Sequence, residues 1–228
     1  MQISPIGPII YFENAAIEKR EDVFMNAKLR LAAIVTCAVM LTGCETPLDL
    51  STVSAPDINC KFDSDCTITV MDTTDHFTVG PTTGDAFLQS RTFPPGEAGT
   101  AATGLHAYLY RIDLTQLAAL TALPCITEMT IDFGPVVKLD YDDDGTPEDV
   151  FVITGGGLGS VGPSSATQDG RMITFTFSPA VCAGSSPGTG QSSFFFGLTS
   201  SNPPRPVTTE LRDSLGGATT LDARAPQP

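Results

Sequence analysis

Tryptophan is absent from the 228 residues, histidine occurs twice, and basic residues are outnumbered, 12 Lys plus Arg against 26 Asp plus Glu. Each shortage excludes something. A net charge of −14 argues against nucleic acid or an anionic lipid surface as a partner, since both are held by basic patches. Without tryptophan, and with only three tyrosines beyond residue 43, a sugar-stacking platform has little to be built from. His76 and His106 are the sole imidazoles, so nucleophilic catalysis has few bases to start from. No CxxC pair is present, which removes the usual zinc frameworks. These absences together predict a protein that is not an enzyme.

What is present begins with Met25–Cys44, MNAKLRLAAIVTCAVMLTGC. Lys28 and Arg30 precede an apolar run over Leu31–Leu41, and Leu41-Thr42-Gly43-Cys44 closes it. The run is too short for a bilayer span, which takes about 20 residues, and has the length of a signal-peptide core. The ending resembles the lipobox of bacterial lipoproteins. That resemblance implies cleavage before Cys44, a lipid on its thiol, and anchorage in the cell envelope. Glu45 in place of aspartate points to the outer membrane rather than retention at the inner one. Residues 1–24 carry the mixed-charge run Glu18–Asp22 and read as an extension ahead of the true start at Met25. Residues 25–43 are then the signal, 44–59 a Pro-, Ser- and Thr-bearing tether, 60–222 one domain, and 223–228 a frayed tail.

Cys60, Cys66, Cys125 and Cys182 remain besides Cys44, an even number in an exported chain, and so predict two disulfides. Three pairings are open. The five-residue loop between Cys60 and Cys66 makes a local bridge natural, and Cys125–Cys182 would then staple two distant strands.

Period-two alternation dominates from Cys66 onward and predicts strands at 67–70, 86–93, 105–114, 126–133, 136–141, 149–154, 172–177, 193–198 and 207–211. Apolar residues on both faces of Ala107–Asp113, and the run Phe194-Phe195-Phe196, suit central strands covered on two sides. Thr115–Leu123 alone has helical propensity, with Pro124 to stop it, and Pro203, Pro204 and Pro206 mark a loop. The expected fold is all-β: an antiparallel β-sandwich or jelly-roll-like architecture of about 8–10 strands with one short helix. A faint resemblance to secreted bacterial β-sandwich proteins, in segments such as Thr130–Gly134, implies no activity.

One segment has the pattern of a site. Asp140, Asp142 and Asp144 fall at positions 1, 3 and 5 of a loop with Gly145 at position 6, the opening of an oxygen-rich calcium loop. Thr146 at position 7, Glu148 at 9 and the adjoining Asp149 complete the expected ligand set. Phe151 stands where an EF-hand would place its bidentate glutamate, and no helix flanks the loop. The arrangement resembles the DxDxDG loops between strands of extracellular calcium-binding proteins. Six carboxylates within ten residues repel one another, and a structural calcium ion would relieve that repulsion; a solvated acidic turn is the other reading. Gly157–Gly162 spells GxGxxG, but no helix can follow it, so it reads as a glycine-rich loop. His76 reads as a solvated loop residue and His106 as a packed one. The functional expectation is therefore a lipid-anchored binding or surface-display protein whose protein or glycan partner is open. An envelope glycan hydrolase with paired carboxylates and a structural subunit of an envelope assembly are the rival classes.

Overall fold

The alternating runs bury one face each, and two six-stranded sheets close those faces on one another. The computed structural model describes residues 45–228, so Cys44, the signal and the leading extension lie outside the described residues. The described residues open with β1 (Thr46–Leu48), β2 (Leu50–Ser54), helix α1 (Ala55–Phe62), β3 (Met71–Phe77) and β4 (Thr82–Thr83). Next come β5 (Ala86–Thr92), β6 (His106–Asp113), β7 (Ala118–Ala119), β8 (Cys125–Asp132) and β9 (Val150–Gly155). They end with β10 (Ser165–Asp169), β11 (Met172–Cys182), β12 (Phe195–Ser200), β13 (Pro204–Asp213) and β14 (Ala218–Pro226). One sheet has the order β1-β10-β11-β8-β13-β14, the other β2-β9-β12-β6-β5-β3, and β4 pairs with β7 alone. This is the expected all-β sandwich, with one departure from an antiparallel plan: β2 runs parallel to β9. The first strand changes sheets at Asp49, so β1 closes one sheet and β2 the other.

The second sheet is covered twice. Tyr108, Tyr110, Ile112, Val150, Val152, Phe196 and Leu198 face the first sheet in the inner core. Leu109, Phe151, Ile153 and Phe195 face the other way, into an outer core shared with Ile58 and Phe62 of α1 and with Tyr141. Large residues therefore occupy both faces of β6, β9 and β12, as the sequence pattern of Ala107–Asp113 and Phe194–Phe196 requires. The two disulfides are Cys60–Cys66 and Cys125–Cys182. The second joins neighbouring strands at a directly opposed pair, Cys182 against Cys125 in β11 and β8. Closing 57 residues of chain removes roughly 4 kcal/mol of unfolded-state entropy.

Several expectations fail for identifiable reasons. The tether expected over 44–59 is built structure: β1, β2 and most of α1 occupy it. The helix starts there because Ser54 accepts the Asp57 N–H at its N-cap and Pro56 lies in the first turn, where no amide hydrogen is needed. The helix expected over Thr115–Leu123 is absent. Leu117 is fully buried while Leu120 and Leu123 are exposed, so tertiary burial of the first part overrides propensity. Thr67–Val70 is coil rather than strand, following Cys66 at φ 58°; Ile68 and Val70 still pack on the outer core. Val136–Tyr141 is no strand, only two bridges, Val137 to Thr199 and Leu139 to Glu148. Pro204 and Pro206 are strand residues of β13 paired with β14, ahead of Thr209 where pairing with β8 begins; proline is tolerated where a strand has one neighbour. The expected tail is the end of β14, with Ala225 fully buried.

Candidate metal centre

The acidic loop spans from Leu139 to β9, and its ends are tied by reciprocal backbone bonds between Leu139 and Glu148, at 3.0 and 3.1 Å. Its anchor is an aromatic residue set among acids. Tyr141 is wholly buried, its ring 4.8 Å from Phe151 and its hydroxyl 3.1 Å from Thr199 Oγ1. Burial raises its phenol pKa well above the ordinary value of 10. With Tyr141 pinned, the backbone curls so that its amides take up the carboxylates on the inside. Gly145 N–H donates to Asp140 Oδ2 at 3.0 Å, Thr146 N–H to Asp144 Oδ1 at 2.7 Å, and Asp144 N–H to Asp142 Oδ1 at 3.3 Å. Gly145, at φ 92°, supplies the left-handed turn for which position 6 of the pattern requires glycine.

The result brings Asp140, Asp142, Asp144 and Glu148 together, with one oxygen from each lying within 4.8 Å of all the others. Asp143 is turned outward, at φ 64°, and accepts from Lys61 Nζ of α1 at 2.5 Å. Glu148 is 6% exposed and its Oε2 accepts the Tyr141 N–H. Two other buried acids have cationic partners: Asp113 pairs with Arg111, and Asp149 with Lys138 at 3.1 Å. Among the described residues, no lysine or arginine pairs with any of the four clustered carboxylates. Like charges at such separations cost about 1 kcal/mol per pair in water and several times more where solvent is excluded. Asp140 Oδ1 is in addition a buried oxygen with no hydrogen-bond partner, which in folded proteins calls for an explanation such as an ion. The donor set fits a hard cation: all oxygen, no imidazole or thiolate, on a loop rather than a rigid cage.

Of the six residues expected as ligands, four meet in this cluster. Thr146 is exposed, and only its carbonyl would be called on. Asp149 is a correction. Its carboxylate accepts the Asp49 N–H at 2.9 Å and sits 3.1 Å from Lys138, whose pKa is raised first by its hydrogen bond to Asp49 and then by the one to Asp149. Alternation explains it: next to Glu148 at the start of a strand, Asp149 must point the opposite way. The roles of Tyr141 as anchor and Lys61 as outer partner were not anticipated. An aromatic residue inside an acidic run was the available signal for the first; Lys61, 82 residues away, left none.

The remaining candidates resolve simply. His76 is exposed and bonded to Asp85 at 2.7 Å, and His106 contacts the Phe93 carbonyl at 3.3 Å. Gly157–Gly162 is a loop between β9 and β10 in which a side chain at Gly159 would meet the Ser193 carbonyl oxygen at 2.1 Å. A cavity of about 500 Å³ lies against β13 and β14, lined in part by Arg205, Asp222 and Arg224, and holds none of the expected site residues. No described helix is long and apolar enough to cross a membrane. No protein-family model, curated protein or solved structure matches the chain.

Proposed function

We propose that this chain is a lipid-anchored, extracytoplasmic binding protein whose β-sandwich carries one structural calcium ion held by Asp140, Asp142, Asp144 and Glu148, with the Thr146 carbonyl as a further ligand. The observation that carries the calcium reading is the unpartnered, buried Asp140 Oδ1 inside a cluster of four carboxylates that no lysine or arginine among the described residues pairs with. The ion's work is structural. It ties the loop that roofs the outer core, and α1 reaches the same loop through Lys61 and Asp143. Two disulfides support an oxidising compartment outside the cytoplasm.

The anchor rests on the Leu41–Cys44 motif, and the short reach from Cys44 to the fold gives it a consequence. β1 begins at Thr46, so a lipid on Cys44 leaves only about 7 Å of slack. The sandwich would then stand on the bilayer by the end that carries Thr46, the Asp169–Met172 turn and Pro203, not on a flexible stalk. Metabolic labelling with a palmitate analogue in a lipoprotein-producing bacterium tests this. The wild-type protein is expected to take up label and sediment with membranes, and Cys44→Ala to do neither. Membrane association and label unchanged by Cys44→Ala would remove the anchor.

A further inference from the structure

We infer that the outer edge of β2 is a docking site for an extended peptide strand that alternates apolar and basic side chains. The inference rests on the binding reading above and names the partner class. β2 ends its sheet, with β9 on one side and, among the described residues, nothing hydrogen-bonded on the other. Because Val150 N–H donates to the Asp49 carbonyl and the pairing is parallel, alternate residues face β9, and Leu50 and Thr52 turn their own amides and carbonyls away from it.

Sheet edges are ordinarily blocked, by proline, by charge or by cover. Three of the four edges here are. β1 carries Pro47. β3 carries Asp72 and Asp75, and β14 carries Asp222 and Arg224. Those two edges are also tied across the sandwich, where the Asp222 N–H donates to Asp75 Oδ2 at 2.7 Å. β2, Leu50-Ser51-Thr52-Val53-Ser54, has neither charge nor proline.

A cavity flanks that edge on each face of the sheet. On the inner face, about 300 Å³ is lined by Leu50, Val152, Pro163 and Phe194 together with serine and threonine residues and without any charged group. On the outer face, about 310 Å³ is lined by Val53, Asp57 and Asp142 among others, with Asp143 already held by Lys61; four clustered carboxylates around one divalent cation leave this side net negative. Successive residues of an added strand point to opposite faces. One set of its side chains would enter the uncharged cavity, where Leu50, Val152 and Phe194 favour apolar groups, and the other the acidic one, so the two cavities specify the alternation. Backbone pairing with Leu50 and Thr52 would supply affinity and the cavities selectivity, the logic of strand addition. A second copy of this chain is a poor occupant, since its net charge of −14 would be brought against an acidic cavity.

The test uses short fluorescein-labelled peptides and the intact protein, read by anisotropy. The probes are alternating valine and lysine, alternating valine and glutamate, and the lysine peptide with alternate backbone nitrogens methylated. The lysine peptide is expected to bind about tenfold or more tighter than the glutamate peptide, and methylation to abolish binding. Thr52→Pro, which removes an outward amide without touching β9 pairing, is expected to do the same at unchanged helix and strand content. Equal binding of the methylated and unmethylated peptides would overturn the inference, as would no binding of any peptide. Self-association of the unliganded protein that Thr52→Pro abolishes would also overturn it, by assigning the edge to a second copy. The assay reads the β2 edge and not Cys44, so its failure leaves the anchor untouched.

Discussion

Phe196→Ala is expected to cost about 3–5 kcal/mol, the range for removing a large aromatic side chain from a core that cannot collapse around the gap. Phe196 is fully buried, with ring centroids 4.8 Å from Phe175, 5.5 Å from Phe177 and 6.0 Å from Tyr110. It therefore joins β12 of one sheet to β11 of the other through the middle of the inner core. Against a total stability of roughly 5–15 kcal/mol for a domain, one substitution would consume a large part of the whole. In urea the midpoint should fall by about 2 M at an ordinary slope. Phe194→Ala is the comparison, since Phe194 is only partly buried and its loss should cost about 1 kcal/mol. Equal effects of the two would contradict the placement of Phe196, rather than Phe194, at the centre of the inner core.

Raising the pH past 10 is expected to unfold the protein cooperatively, because all three tyrosines of the described residues are fully buried. Tyr108 and Tyr110 donate to the Asn202 and Arg224 carbonyl oxygens at 2.7 and 2.6 Å, and Tyr141 lies in the outer core. Burial raises all three phenol pKa values above 10. The sign follows from the proton count. Near pH 10 and above, the unfolded chain releases phenolic protons that the folded chain keeps, so stability is complete below about pH 10 and falls as pH rises. Each tyrosine contributes up to about 1.4 kcal/mol per pH unit, and three together about 4. Absorbance at the phenolate wavelength and far-ultraviolet circular dichroism, followed through one titration, should change together. Two or more phenolates appearing near pH 10 with the strands intact would contradict the burial of these rings.

Legibility in the sequence tracked the kind of burial each element has. β6, β8, β11 and β12 were readable because one or both faces of each meet a core, which forces alternation or continuous apolar runs. β1, β2, β3 and β14 were not. β3 reads Met-Asp-Thr-Thr-Asp-His-Phe and buries only Phe77; an edge strand held by backbone bonds leaves little trace in side-chain polarity. β2 was hidden by its serines and threonine, and its connection to α1 by the assumption that the chain after a lipid-bearing cysteine is a tether. The sequence nevertheless carries the signal: Ser54-Ala55-Pro56-Asp57 is a helix start.

The carboxylate cluster shows the same division. Asp140, Asp142, Asp144 and Glu148 follow from spacing, because turning alternate residues inward is a local property of the loop. That Asp149 serves Lys138 and Asp49, and that Asp143 serves Lys61, depends on chain distant in sequence. Spacing alone carries no information about such partners.

The central claim, a cation at the Asp140–Glu148 loop, is tested most directly by thermal melting of the oxidised protein in calcium and in chelator. The comparison is the Asp142→Asn/Asp144→Asn variant. At calcium about 100-fold above its dissociation constant, a site present only in the folded state adds about 2.7 kcal/mol, or roughly 5–10 °C for a chain of this size. The account predicts that rise for the wild-type protein and none for the variant. Identical melting of the wild-type protein in calcium and in chelator would contradict it.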